Sequence, residues 1–459
     1  MRLKLLSLYV LSCLLMAANA SATSVSWNGY YRLEATDIRN YDLDGEEKNF
    51  LLHHLALTPK IIVKDDIIVR ARFDVFNNAN NGVQTNQVGA FLGNPSNAEA
   101  STSAKFDDSS VIAESMSVET VAATQLYLTW LQENGAFIFG RTPKHFGMGL
   151  SHNAGINDFD HWMDTQDVIG WKILMGNHMI TPYYGKKSEG SIVDKADVNI
   201  LTFHYEYLNP DSGLNLGFYY EKTTSGEKID DAGTVFGGTP TNGYSPEQIN
   251  VYLKQAYTGF DLEFEAGFLS GETGVLKSGT PVSFEASGFL ANFTFDFATD
   301  FHFDGRIGYA TGDDPNSNNY EGFLFDRNLD VAYLLFNHKM GNSSLDLNNS
   351  AVGGASSSSV DTDYIGNTMF IAPKLTYKSS DRFHYDASII YAKLNEVGTA
   401  TTDDYLGTEI DLGMSYFPND STHVRLETGF LLPGGAYEGN ASNSTNNAFI
   451  ISGKAAINF

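Results

Sequence analysis

The chain has 459 residues, of which 13% are aromatic and 18% are charged, and its formal net charge is −26 at pH 7. An acidic balance of this size excludes the basic surface that nucleic-acid binding requires, and the aromatic content is too high for a disordered chain. After residue 22 no apolar stretch reaches the length of a membrane-spanning helix. A protein of this composition that enters a bilayer must therefore do so as a β-barrel.

Residues 1–20 have the pattern of a secretory signal peptide. Arg2 and Lys4 precede a short apolar run, and small residues suited to cleavage follow at 18–20. The apolar run is too short to span a bilayer. We expect the remaining residues, 21–459, to form one domain in the outer membrane of a Gram-negative cell.

Segments of about ten residues with alternating apolar and polar side chains recur along the mature chain. In the segment 67–76, for example, Phe73 lies on an apolar face and Arg72 on the opposite face. The last segment alternates in the same way and ends in Phe459, which is similar to the C-terminal signature of outer-membrane β-barrels. Long Phe and Tyr faces with interspersed Gly and Ala fit a lipid-facing surface better than the core of a soluble sandwich.

Short turns and long polar segments alternate between the predicted strands. We place the eight turns at 64–66, 133–135, 176–178, 209–213, 257–259, 298–300, 379–381 and 419–422. The nine long segments are 37–48, 77–118, 142–166, 187–196, 223–248, 271–281, 312–366, 395–405 and 433–445. The sequence therefore predicts an all-β fold, a transmembrane antiparallel barrel of about 18 strands with short periplasmic turns and long external loops. Sixteen strands remain the alternative, because the strands near 170–200 are weakly marked.

Ionisable residues of the predicted strands fall on the face opposite the apolar one. A charge on the lipid face costs about 2–4 kcal/mol at the bilayer midplane, so these residues should line an aqueous lumen and select solutes. Four of the arginines should form a basic wall near the closing strands, and acids should face them from the opposite wall. The predicted pore-lining residues are Arg32, Arg70, Arg72, Asp74, Asp261, Glu263, Glu265, Asp296, Asp304, Arg306, Arg382, Glu409, Asp411, Arg425 and Glu427.

The third long loop holds the densest group of functional residue types. A Gly-rich stretch at 140–150 is followed by an acidic and aromatic stretch at 157–165. Such a loop either folds into the barrel mouth and narrows it or caps the wall from outside, and the sequence leaves both open. The candidates for a constriction are Arg141, Lys144, His145, Asp158, Asp160 and Asp164.

Two further patterns are weaker. His161 near Asp164, and Ser151 next to His152, suggest a hydrolase at the barrel rim, but no Ser, His and acid stand in a recognised arrangement. The segment 313–318 offers oxygen ligands at alternate positions without the Gly and distal Glu of a calcium loop. We therefore expect no catalytic residue, no bound metal and no cofactor.

Four stretches of the C-terminal third resemble the alginate-export porin family: Tyr309–Asp314, Phe336–Gly341, Tyr405–Gly413 and Leu432–Gly435. The resemblance implies a monomeric barrel of eighteen strands that exports an anionic polysaccharide through an Arg-lined pore. The predicted lumen departs from that pattern because it holds more acids than bases, which suits a polyuronate poorly.

The sequence thus predicts a porin or export channel that passes polar or charged small solutes, saccharides among them, through a charged lumen. The expected partners are outer-membrane lipid and a small polar solute, with no nucleic acid. The sequence leaves open whether the protein is a monomer or a homotrimer. The alternative function is a surface adhesin or receptor barrel that acts through the loops 77–118 and 312–366.

Overall fold

A computed structural model describes most of the mature chain. The described residues are 24–75, 121–188, 197–229, 232, 238–314, 316–338, 340, 364–397, 403–438 and 445–459. The predicted signal peptide and the long segment 77–118 lie outside the described residues. The low-complexity part of the segment 312–366 does so as well.

The described chain is almost entirely β-strand. The strands are β1 (Ser24–Arg39), β2 (Glu47–Lys64), β3 (Ile67–Val75), β4 (Val121–Gln132), β5 (Gly135–Pro143), β6 (Thr165–Met175), β7 (His178–Ser188), β8 (Val198–Asn209), β9 (Leu214–Ser225), β10 (Thr239–Pro240), β11 (Ser245–Tyr257), β12 (Phe260–Lys277), β13 (Thr280–Ala298), β14 (Phe301–Ala310), β15 (Thr368–Lys378), β16 (Phe383–Leu394), β17 (Tyr405–Asn419), β18 (Thr422–Pro433) and β19 (Ala448–Asn458). β10 is a two-residue strand inside a connection, and the other eighteen strands form the wall. A 3-10 turn, Gly435–Tyr437, follows β18.

The eighteen wall strands form one closed antiparallel sheet. Each strand pairs with the next along the chain, and β1 pairs with β19 to close the barrel. At the seam, the Gly29 N–H donates to the Phe459 carbonyl at 2.8 Å and the Phe459 N–H donates to the Gly29 carbonyl at 2.9 Å. Closure leaves no sheet edge unpaired, which is the condition for a sheet to exist in a bilayer. The predicted eighteen-strand transmembrane barrel is confirmed.

The alternation along the strands separates the two faces as predicted. In β1, Leu33 is exposed on the outer surface while its neighbours Arg32 and Glu34 are buried inside. In β19, Ile451 and Ile457 are likewise exposed on the outer face. The outward side chains thus form an apolar band around the barrel. Among the described residues, none of the helical segments has the length and hydropathy to cross a membrane.

The connections divide into a side of short turns, called the turn side here, and a side of long segments, called the loop side. All eight predicted short turns are present between consecutive strands. The long segment predicted at 271–281 is wrong, because β12 and β13 continue as a hairpin through it. Ser278 and Gly279 make its two-residue turn with φ values of 52° and 84°. Positive φ at both residues matches the twist of a hairpin, which explains why the strands do not splay there.

The inner wall is not uniformly polar. Near the loop side, β14 to β19 and β1 turn apolar side chains inward, among them Phe370, Ile390 and Leu431. These pack against Leu334 and Leu335 of the connection between β14 and β15. Burial of this apolar surface, at about 25 cal/mol per Å², holds that connection inside the barrel.

Candidate functional site

The connection between β5 and β6, residues 144–164, enters the barrel and is called the first inward segment. Lys144 begins it and places its ammonium 2.6 Å from Glu221 on β9. Phe146 is buried against the rings of Tyr219 and Tyr252. Glu265 on β12 then accepts the backbone N–H of Met148 at 2.7 Å. The sequence left the position of this loop open, and the structure places it against the inner wall.

The tip of the first inward segment reaches the opposite wall, at the seam. His161 Nε2 lies 2.8 Å from Glu34 Oε1 on β1. Arg32 donates to the Asp160 carbonyl at 2.6 Å, and Asp158 lies 3.0 Å from His423 on β18. The segment therefore crosses the lumen from β9 and β12 to β18, β19 and β1.

Part of the connection between β14 and β15, residues 320–338, also lies inside the barrel and is called the second inward segment. Glu409 on β17 accepts three consecutive backbone N–H groups from it: Tyr333 at 3.0 Å, Leu334 at 2.7 Å and Leu335 at 2.7 Å. Glu409 has no exposed surface. The three hydrogen bonds from these backbone N–H groups offset the free-energy cost of burying the Glu409 carboxylate.

The two inward segments are joined to each other. The Trp162 N–H donates to Asn328 Oδ1 at 2.9 Å, and Asn328 Nδ2 donates to the Trp162 carbonyl at 2.8 Å. The Asp326 N–H donates to the Leu150 carbonyl at 2.7 Å. Arg327 lies over the ring of Trp162 at 4.2 Å from its centroid. Together these contacts form a latch across the middle of the barrel.

Two ionisable groups beside this latch have shifted pKa values. Burial, together with the nearby Asp164 carboxylate, raises the pKa of the Asp326 carboxyl well above its ordinary value. Burial, with the nearby Lys144 ammonium, lowers the pKa of His152 to about 4. A neutral Asp326 carboxyl can donate a hydrogen bond to the Asp164 carboxylate.

A cavity of about 580 Å³ lies below the inward segments, toward the turn side. Its wall carries Arg306, Lys374 and Arg425, and its roof carries Asp158 and Asp330 among others. Asp304, Asp411 and Glu427 also belong to the wall, so charges of both signs line the cavity, as they do in selective pores. We call this space the turn-side cavity.

Three arginines of the predicted basic wall lie beside acids that neutralise them. Arg32 lies 2.7 Å from Glu34, Arg72 pairs with Asp74 at 2.9 Å, and the Arg425 Nη1 lies 3.0 Å from Asp386. Two of these pairs have a further partner: Glu427 pairs with Arg425 and also with Lys454, and His54 pairs with Asp74. The fourth arginine of the predicted wall, Arg70, lies over the ring of Tyr127.

The predicted acidic wall divides into anchors and lumen groups. Glu265 and Glu409 are buried beneath the inward segments, with Asp411 beside Glu409, so these three hold backbone rather than face open water. Asp261 is half-buried on β12. The others keep side-chain partners: Glu263 contacts Lys254, Asp296 contacts His302, and Asp304 accepts from Asn292. The Arg306 guanidinium donates to the Asp330 carbonyl at 3.0 Å.

Two predicted residues lie elsewhere. Arg141 belongs to β5, not to the loop, and shares the outward parity of the exposed Phe139. It makes two hydrogen bonds of 2.6 Å to Asp167 on the outer surface. Arg382 is exposed in the turn before β16 and not on a wall strand. The predicted turn ended at residue 381, so strand alternation placed Arg382 on β16 and facing the lumen. The turn in fact includes residue 382, and β16 begins at Phe383.

Several residues of the site escaped the sequence analysis. Asn328 and Tyr333 lie in the long segment 312–366, which was expected to be external. Tyr333 receives a hydrogen bond of 2.5 Å from Arg425. By contrast, strand alternation already places His423 and Lys454 on the inner face, and both line the turn-side cavity. Adjacent apolar residues such as Ile389-Ile390 indicate that a strand is apolar on both faces. Such a strand is covered on both faces, so the inner face of β16 had to be covered by another part of the chain.

The residues of the suggested hydrolase have separate contacts. His161 contacts Glu34, His152 contacts Asp164 at 3.4 Å, and the Ser151 Oγ accepts from Asn250. In the segment 313–318, the Asp314 carboxylate accepts the Asn316 N–H at 2.8 Å and closes a local turn. Within the described ranges no group of three His, Cys or acidic residues has the geometry to hold a metal ion. His145, also a constriction candidate, accepts the Ala154 N–H at 3.4 Å inside the first inward segment.

No family model matches this chain, and no curated protein matches it in sequence. Solved porins do match its fold. OccK8 (OprE) of Pseudomonas aeruginosa has a TM-score of 0.52 and 9% identity, over 95% of this chain and 98% of that chain. A BenF-like porin from Pseudomonas fluorescens Pf-5 has a TM-score of 0.51 and 11% identity, over 95% and 99%. OccK9 (OpdG) of Pseudomonas aeruginosa has a TM-score of 0.51 and 10% identity, over 95% and 99%.

This similarity shows that the closed barrel of this chain has the fold of solved outer-membrane porins. The predicted fold, a transmembrane antiparallel β-barrel, is confirmed. Membership of the alginate-export family stays a prediction.

Proposed function

We propose that this protein is an outer-membrane channel through which small polar and charged solutes diffuse. The observation that carries the proposal is a closed barrel whose inner wall holds charged side chains around a cavity of about 580 Å³. A barrel of this strand number leaves an aqueous channel, and the inward segments narrow it. The mature protein, after removal of residues 1–20, contacts lipid through its outer apolar band.

The lumen chemistry favours compact solutes that carry polar groups of both signs. Arg306 and Lys374 line the turn-side cavity together with Asp158 and Asp330, so a zwitterion or a polyhydroxylated molecule finds partners of both signs there. A polyanionic chain would meet acids along its whole path. Small solutes, saccharides among them, therefore fit the lumen better than a polyuronate does.

The test is electrical conduction by residues 21–459 in planar bilayers. We expect stepwise, ohmic currents, with a modest cation preference in a salt gradient because acids outnumber bases in the chain. Swelling of liposomes in isotonic sugar solutions measures the uptake of uncharged solutes in parallel. Vesicles without protein give the baseline. A protein that is folded, as judged by heat-modifiable gel mobility, but gives neither current nor swelling would contradict the proposal.

A further inference from the structure

A second cavity lies on the loop side of the latch, between the wall strands β7 to β13 and the two inward segments. Its volume is about 270 Å³, which is just below the range typical of pockets for drug-sized ligands. It is separate from the turn-side cavity, and no residue lines both. A solute that enters from the loop side reaches this loop-side cavity before the latch.

One wall of the loop-side cavity is aromatic. Tyr244, Phe284 and Tyr320 line it. The rings of Tyr244 and Phe284 are 6.5 Å apart at 80°, and those of Phe284 and Tyr320 are 5.7 Å apart at 87°. The edge-to-face geometry presents both ring faces and ring edges to the cavity, which suits another planar ring. Val275 and Val282 pack behind these rings and fix their position.

The opposite wall carries an accessible cation whose counter-ion is hidden. Lys187 places its ammonium 2.8 Å from Glu221, but the Lys187 side chain is 48% exposed and the Glu221 side chain only 3%. Glu221 is also contacted by Lys144 at 2.6 Å and by the Tyr219 hydroxyl at 2.6 Å. Both of these buried donors bind Oε2 of Glu221, whereas Lys187 binds Oε1. If Lys187 turns to a second anion, Glu221 therefore keeps the Lys144 ammonium as its counter-ion.

Polar groups between the two walls can orient a ligand. Ser151 Oγ accepts from Asn250 at 2.9 Å, so the Ser151 hydroxyl hydrogen can still be donated. Gln248 donates to Asn250 Oδ1 at 3.1 Å and also lines the cavity. An apolar wall with a few convergent polar groups is the usual composition of a small-molecule site.

We propose that the loop-side cavity binds a small aromatic carboxylate, with its ring against Tyr244, Phe284 and Tyr320 and its carboxylate on Lys187. The inference rests on the proposed channel function and names the solute class that the channel concentrates before the latch. The cavity volume admits one ring and its acid side chain. A weak site of this kind raises the local concentration of one solute class without closing the path to others.

Binding is tested by isothermal titration calorimetry on the folded barrel in detergent, with phenylacetate as the probe. Benzyl alcohol supplies the ring without the charge, and glucuronate supplies the carboxylate on a polar ring. We expect phenylacetate to bind at least about tenfold more tightly than either, because both the ring contacts and a charge-assisted hydrogen bond are needed. Equal affinities for phenylacetate and glucuronate would overturn the assignment to an aromatic ring.

The matched variants are Lys187→Gln and Lys186→Gln. Lys186 is the adjacent residue of β7, lies on the outer side of the wall and pairs with Asp197 at 2.9 Å. We expect Lys187→Gln to weaken phenylacetate binding about tenfold and Lys186→Gln to leave it unchanged. Tyr244→Leu removes one ring of the wall and should weaken phenylacetate and benzyl alcohol alike. Equal effects of the two lysine variants would overturn the proposal.

The calorimetric readout separates this proposal from the channel function. A barrel that conducts ions but binds no phenylacetate would refute the loop-side site and leave the channel intact. A barrel that binds phenylacetate through Lys187 but carries no current would refute the channel and leave the site. Where both hold, phenylacetate added to the loop side should shorten the open times in single-channel records, and Lys187→Gln should abolish that effect.

Discussion

Glu409 and Glu265 occupy comparable places on the inner wall, each beneath an inward segment. Glu409 accepts the N–H groups of Tyr333, Leu334 and Leu335, and Glu265 accepts those of Met148 and Leu150. A carboxylate is well suited to this role because it offers several lone pairs to converging donors. These residues fix where the inward segments lie.

Glu409→Ala should release the second inward segment. The change leaves the buried N–H groups of Leu334 and Leu335 without their acceptor, and Tyr333 keeps only its bond to Asp411. Each hydrogen bond to a charged group contributes about 1.5–3 kcal/mol. We expect a loss of several kcal/mol in local stability, measured as faster hydrogen exchange of the amides of residues 333–335. Glu409→Gln keeps one acceptor oxygen and should lose less.

The control is Glu247→Ala, which removes an acid that pairs with Lys222 at 2.6 Å on the exposed outer side. Exposed ion pairs contribute about 0–1 kcal/mol, so exchange at 333–335 should not change. Unaltered exchange in Glu409→Ala would show that the apolar packing alone holds the segment.

Position 29, at the seam, has no space for a Cβ atom, so it requires glycine. A Cβ at this position would lie 2.3 Å from the Ala56 carbonyl oxygen and 2.9 Å from the Phe459 ring. Gly29→Ala should therefore destabilise the closed barrel by about 1–3 kcal/mol, the usual cost of overpacking. The measurement is the temperature at which the folded gel band is lost. Gly453→Ala on β19 is the matched control, because nothing lies within 4 Å of its added Cβ. Equal stability of the two variants would contradict this explanation.

At the scale of elements, the latch between the inward segments has a predictable pH dependence. The folded state raises the pKa of Asp326, so it binds a proton that the unfolded chain releases near pH 4. Stability therefore falls as pH rises from about 4 through the raised pKa. His152, with its pKa lowered to about 4, acts in the opposite sense and costs stability as pH falls below about 6.5. Asp164, Lys144 and Glu221 are the other ionisable groups that face this pair.

Asp326→Asn tests this dependence. The amide keeps a donor toward Asp164 but has no proton to lose, so the alkaline loss of stability should disappear. Thermal unfolding from about pH 5 to about pH 9 should show a falling midpoint for the wild type and a flatter one for the variant. Parallel pH profiles for the two proteins would mean that another group controls the alkaline limb.

The strands and turns were predictable because each rests on a local pattern. Alternation defines the two faces of β1 and β19, and polar or Gly-containing turns separate most wall strands. The hairpin turn at Ser278-Gly279 was missed although this dipeptide between extended segments is itself a two-residue turn signal. Adjacent apolar pairs such as Ile389-Ile390 indicate that part of the inner wall is covered, but they do not say that 320–338 covers it. An acid such as Glu409 looks the same in sequence whether it meets water or a backbone N–H.

At the scale of the whole molecule, the barrel sets the width of the proposed channel and the inward segments narrow it. The first inward segment crosses from Glu221 to Glu34, and the second lies against it through Asn328. The conducting path must pass around both. We therefore expect the positions of the two inward segments to determine the conductance, and the closed sheet to determine the stability.

Replacing residues 146–163 with a short Gly-Ser linker should raise the unit conductance several-fold, because an eighteen-strand wall without this obstruction approaches an open aqueous pore. Charges such as Glu265 and Glu34, which the segment now covers, would become hydrated rather than unpaired, so the wall should still fold. Shortening the β12–β13 hairpin by removing residues 277–280 is the control, since it alters a loop-side connection outside the crossing. We expect that control to conduct as the wild type does. An unchanged conductance in the linker variant would place the narrowest point of the channel at the second inward segment instead.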